Sequence, residues 1–134
     1  MTYAGLTLAY WAVVVAALLP VGCAGVAKWG QIGRSRRDGG LDNHNPRAWL
    51  AKQTDWRARA NAAQANSFEA LPFFIGAVVI AHQLGAAQGR IDMLALVFVF
   101  LRMLYILLYL ADQASARSMV WGLGLLVNLA ILFV

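Results

Sequence analysis

The chain has 134 residues, 61% of them hydrophobic and 13% charged, with a net charge of +5 and a mean hydropathy of +0.63. Average soluble domains carry about 25% charged residues, and a domain of this length could not hide so much apolar surface from water; the composition excludes a soluble globular protein and predicts a single membrane domain. The surplus charge is confined, because eight of the eleven basic residues lie between Lys28 and Arg59 against Asp38, Asp42 and Asp55, and no nucleic-acid-binding motif accompanies them, so nucleic acid is not an expected partner.

Leu6 to Ala27 is an uncharged run long enough to cross a hydrocarbon core of about 30 Å at about 1.5 Å per residue. Met1 to Gly5 lacks the charged start of a secretory signal, so the run reads as a retained first span over residues 5–28. Pro20 and Gly22 are expected to kink it. The PVGC sequence ending at Cys23 has the look of a lipoprotein cleavage site without the basic region such a signal needs, and Cys23 reads as a packed thiol. Lys28 and Trp29 mark an interface. Residues 29–55 form a basic loop rich in Gly, Asn and Asp, cytoplasmic by the positive-inside rule. Within it Asn45 can cap a short helix that starts at Pro46, which would lay Trp49, Leu50 and Trp56 against the membrane surface.

The second span, 56–84, is too long for one bilayer crossing, so its first turns project past the hydrocarbon and Pro72 should bend it near the boundary. Arg59, Asn66 and Glu69 recur on one face of this helix at about 100° per residue, and the apolar run from Leu71 onward carries that polar face into the membrane. Gly85 to Gly89 is a short turn, 91–111 a third span, Asp112 to Arg117 a second turn, and 117–134 a fourth span. Four spans place both termini opposite the basic loop, and short turns make neighbouring helices antiparallel. The predicted fold is an all-α integral membrane protein, a four-transmembrane-helix bundle.

Arg102, Tyr105 and Tyr109 share a face of the third span. A guanidinium in mid-membrane stays charged and requires a carboxylate, carbonyls or water. Glu69, the acidic residue in a comparable run, is the expected partner for Arg102, within or between subunits. Such a pair serves equally to lock a bundle or to do chemistry. His82 reads as an interfacial residue, Asn61 and Gln64 as groups that could line a cleft near the loop, and Gly122, Gly124 and Asn128 as helix-packing positions. No spacing of His, Cys or acidic residues makes a metal site, and no nucleophile elbow, phosphate loop or dinucleotide fingerprint is present.

Asn66, Glu69 and Pro72 in NSFEALPFF, with Arg102 and Tyr109 seven residues apart in the third span, resemble the signature of the MAPEG family, the membrane-associated proteins in eicosanoid and glutathione metabolism. That family includes microsomal glutathione transferases, leukotriene C synthase, microsomal prostaglandin E synthase and many bacterial members. Tyr105 matches a further position that is tyrosine in some of them. Arg117, followed by Ser118, stands where the family carries the arginine that activates the glutathione thiol. The resemblance covers four helices in order.

It implies a homotrimer in a bacterial inner membrane, with glutathione as cofactor in clefts between subunits and a lipophilic substrate arriving from the membrane lipids. Asn66 and Glu69 would hold the polar ends of the tripeptide, Arg59 and Arg102 its carboxylates, and Tyr105 or Tyr109 its backbone. Arg117 would be the catalytic group that stabilises the thiolate, the nucleophilic form. One departure is plain: glutathione-using members have arginines four residues and one residue before the Asn, where this chain has Ala62 and Ala65. Each missing guanidinium removes a charge-assisted contact worth about 1.5–3 kcal/mol. The alternative implied by that departure is a non-catalytic trimeric membrane protein that binds a lipid or other amphiphile and uses the polar stripe structurally.

Overall fold

A computed structural model describes residues 1–133. A small antiparallel hairpin, β1 (Thr2–Tyr3) and β2 (Leu6–Thr7), leads into α1 (Leu8–Ala27). After the basic loop, with a 3-10 turn at Arg36–Asp38, come α2 (Pro46–Ala51), α3 (Asp55–Gln83), α4 (Gln88–Leu110) and α5 (Ala114–Leu132). Among the described residues, α1, α3, α4 and α5 are long and apolar enough to cross a membrane. The helices α1 and α3 run unbroken through Pro20 and Pro72, as membrane helices can when neighbours satisfy the freed carbonyls.

Packing follows small residues. Ala9, Ala12, Ala16, Cys23 and Ala27 line the buried side of α1 and fit against α3, whose inward side offers Ala60, Ala63, Ser67 and Ala77. Lipid supplies no hydrophobic drive between helices, so close backbone approach through small side chains takes its place. Phe74 of α3 and Phe98 of α4 stack at 4.3 Å in the centre. Large apolar side chains such as Leu18, Phe100, Leu107 and Leu126 point outward.

The two inter-span turns end their helices in the same way. Gly85 (φ 72°) and Asp112 (φ 59°) are left-handed, and the next amides reach back, Ala86 N–H to Ala81 O at 3.1 Å and Gln113 N–H to Leu108 O at 2.9 Å. This is the Schellman closure. It starts α5 at once, so the last turn of α4 faces the first turn of α5.

The end of the bundle away from the basic loop is tied by a polar network. Asp92, buried on α4, accepts from Ala9 N–H at 2.9 Å and from Gln88 Nε2 at 2.7 Å; Thr7 Oγ1 accepts from Tyr10 N–H at 3.2 Å. Both acceptors sit at the N-terminus of α1, where free amides and the helix dipole favour a carboxylate. His82, in the last turn of α3, takes part in this network. Its Nδ1 is 2.7 Å from Val78 O and so donates, and its Nε2 lies 3.0 Å from Thr7 Oγ1 and 3.2 Å from Gln88 Nε2. The ring stacks on Tyr10 at 4.2 Å. Asp92→Leu is expected to cost about 2 kcal/mol by stranding these donors, read as a lower melting temperature in detergent, whereas Asp92→Asn, which keeps an acceptor oxygen, should cost less.

At the other end, the short α2 forms as expected, with Asn45 Oδ1 accepting from Ala48 N–H at 3.4 Å. Its Trp49 and Leu50 do not lie on the membrane surface. They are buried against Ala27 and Ala60, because the loop folds back: Leu41 N–H bonds Gln31 O at 2.9 Å, and a Cβ on Gly40 would collide with the backbone of Arg34, so only glycine permits that return. Trp56 remains exposed beneath the Arg57 guanidinium, 4.3 Å away. Arg57 Nη1 donates to Ala27 O at 2.9 Å and Arg59 Nε to Leu110 O at 3.2 Å, closing the carbonyl ends of α1 and α4.

Candidate functional site

Asn66 on α3, Arg102, Tyr105 and Tyr109 on α4, and Arg117 on α5 form one unbroken series of contacts. Arg102 is buried and its Nη2 donates to Asn66 Oδ1 at 2.7 Å. The Arg102 guanidinium lies 4.3 Å over the Tyr105 ring. Tyr105 meets Tyr109 edge-on at 5.7 Å, and the Arg117 guanidinium lies 4.1 Å over Tyr109. Cation–π contact and the planar fork of arginine suit such a series. Helical spacing places Arg102, Tyr105 and Tyr109 on one face of α4, and the closure at Asp112 brings Arg117 of α5 opposite Tyr109.

The expected partner of Arg102 was Glu69. Within the subunit it is the Asn66 amide. Glu69 stands about 60° round α3 from Asn66 at helical spacing, which turns its side chain to the exposed side. Among the described residues the ion pair found is Arg36 with Asp42 at 3.6 Å, in the loop. Arg59, the other cation expected at the site, bonds Leu110 O and lines neither cavity described below.

Two cavities, each of about 220 Å³, adjoin the series. The first lies toward the loop and is lined by Asn66, Tyr105, Tyr109, Arg117, Ser118 and Trp121. These offer a cation, three hydroxyls and an amide, with no carboxylate among them; such a lining fits an anionic, peptide-like ligand. The second lies further along α5 and is lined by Ala70, Phe73, Phe98, Trp121 and Leu125 together with the polar Asn66, Glu69, Arg102 and Asn128. Asn66 and Trp121 border both.

Asn128 lines the second cavity, is 3% exposed, and its Oδ1 has no hydrogen-bond partner. A buried amide oxygen left so costs about 1–3 kcal/mol. Sequence reasoning treated Asn128 as a packing position and passed over Trp121. Gly124 and Asn128 are buried, and Arg117, Trp121, Gly124 and Asn128 recur at intervals of four, three and four, one face of α5. Cys23, as read from the sequence, is buried, and the described residues contain no group of side chains that could hold a metal ion.

In comparisons with known proteins, no curated protein and no solved structure matched the chain. A family model, that of the MAPEG family, matched residues 8–134, from the first residue of α1 onward. With four membrane-spanning helices in order and that match over nearly its whole length, the chain belongs to the MAPEG family.

Proposed function

We propose that this protein is a membrane-embedded glutathione-dependent transferase or peroxidase acting on lipophilic electrophiles, working as a homotrimer in a bacterial inner membrane with residues 29–55 on the cytoplasmic side. The observation that carries this reading is the contact series from Asn66 through Arg102, Tyr105 and Tyr109 to Arg117, bordering a cavity with cationic and hydroxyl walls. Glutathione, when bound, supplies a thiol nucleophile. Asn66, Tyr105, Tyr109 and Arg117 would hold it. Arg102, fixed by Asn66 and Tyr105, keeps a positive charge at the inner wall. Arg117 would stabilise negative charge on the sulfur, and its seat on Tyr109 limits the conformations it must give up.

A second reading, a non-catalytic trimer that binds a lipid or another amphiphile, is favoured by two observations. Ala62 and Ala65 replace arginines, and Arg59 is engaged by the carbonyl of Leu110. Calorimetric titration of the purified protein with glutathione, followed by conjugation of chlorodinitrobenzene, separates the two. Saturable binding with turnover is expected. Absence of binding at millimolar glutathione would leave the non-catalytic reading.

A further inference from the structure

The start of the basic loop sets large apolar side chains beside unpaired cations. The 20 residues of α1 rise about 30 Å, the thickness of a hydrocarbon core, so the chain that follows Ala27 emerges at the level of lipid headgroups. There Trp29 and Ile32 are 74% and 71% exposed. Residues 28–37 carry Lys28, Arg34, Arg36 and Arg37 and no carboxylate. Arg36 is answered by Asp42 at 3.6 Å, and Arg34 reaches only the Gln31 side-chain oxygen, at 3.4 Å. Among the described residues, the side chains of Lys28 and Arg37 meet no acceptor.

The segment is held in shape. Gly40 N–H bonds Ser35 O and Leu41 N–H bonds Gln31 O, both at 2.9 Å, and the indole of the buried Trp49 donates to Gly39 O at 3.3 Å. A ligand therefore orders little backbone on arrival. A soluble anion or a nucleic acid would use the cations and leave Trp29 and Ile32 in water. A zwitterionic lipid brings its own cation beside its phosphate. An anionic phospholipid uses both halves of the segment: its phosphate accepts from guanidinium forks, and the ester end of its acyl chains covers the indole and the isoleucine.

We propose that residues 28–37 form a docking surface for anionic phospholipid of the surrounding bilayer, with Lys28, Arg34 and Arg37 taking the headgroup and Trp29 and Ile32 the first carbons of the acyl chains. The surface needs no glutathione and is independent of any catalytic role.

The test uses the full protein in phosphatidylcholine vesicles that contain a trace of photoreactive phosphatidylglycerol or photoreactive phosphatidylcholine. The two probes have the same acyl chains, with a diazirine near the ester. Both leaflets have one composition, so the direction of insertion does not matter. Phosphatidylglycerol is expected to label residues 28–40 more strongly than phosphatidylcholine, and the preference should fade as salt is raised. Arg34→Gln with Arg37→Gln should lower it about fivefold for each cation removed, with the melting temperature unchanged. Arg47→Gln with Lys52→Gln, which removes the same charge from α2 and its end, should leave it largely intact. Trp29→Ser with Ile32→Ser should weaken labelling by both probes. An equal loss from the two arginine- and lysine-directed pairs would overturn the proposal, since net charge alone would then explain the preference. So would equal labelling by the two probes in wild type. Displacement of the phosphatidylglycerol label by millimolar inorganic phosphate would assign the cations to a soluble anion and overturn it as well.

Discussion

Arg117→Ala is expected to lower glutathione conjugation by about 10²–10³-fold, the usual loss when one preorganised group is removed from developing negative charge. A free thiol has a pKa of about 8.5 and is largely protonated at neutral pH, so the residue that favours its thiolate governs the rate. Stability should change little, because the side chain is partly exposed and gives up a single contact over the Tyr109 ring, worth about 0.5–1 kcal/mol at such a site. Arg117→Lys keeps the charge but not the planar fork, and should fall between. The check is kcat with chlorodinitrobenzene beside a melting curve of each variant. An undiminished rate in a folded Arg117→Ala protein would remove Arg117 from the catalytic role.

Asn66→Leu should destabilise the bundle by about 1.5–3 kcal/mol, since it takes away the acceptor to which the buried Arg102 cation donates. Arg102 cannot shed its charge, and the Tyr105 ring above it offers only partial compensation. Glu69→Gln should stay within about 0.5 kcal/mol, as exposed substitutions do. Denaturation of both variants in the same detergent orders them. The reverse order would mean that Glu69 reaches the Arg102 of a neighbouring subunit, and that the intramolecular partner is of secondary importance.

Both expectations come from a stripe that was legible in the sequence, because helical spacing fixes which residues share a face and membrane composition makes polar ones conspicuous. Spacing does not decide which of two stripe members meets the next helix. Asn66 and Glu69 differ by a fraction of a turn, and packing of Ala63, Ser67 and Phe74 sets the rotation that points one inward and the other out. Helix ends were less legible than spans: α4 and α5 begin earlier than the apolar runs, at Gln88 and Ala114, since hydropathy reports the hydrocarbon depth and not the helix. The network of Thr7, His82, Gln88 and Asp92 joins residues far apart in the chain, and no local pattern announces it. The hairpin at Thr2–Thr7 has strands of two residues, too short to show any period. Trp49 and Leu50 carried the composition of interfacial residues, and the loop closure at Gly40 turned them inward.

Arg57 and Arg59 act as a clasp. From the first turns of α3, each holds the last carbonyl of a different helix. The same two cations belong to the positive surplus by which insertion machinery sorts a chain. Reversing their sign would fray two helices and blur the insertion cue together. The same pair of side chains thus joins three helices at one end of the bundle and supplies two of the charges on which a sorting cue would depend.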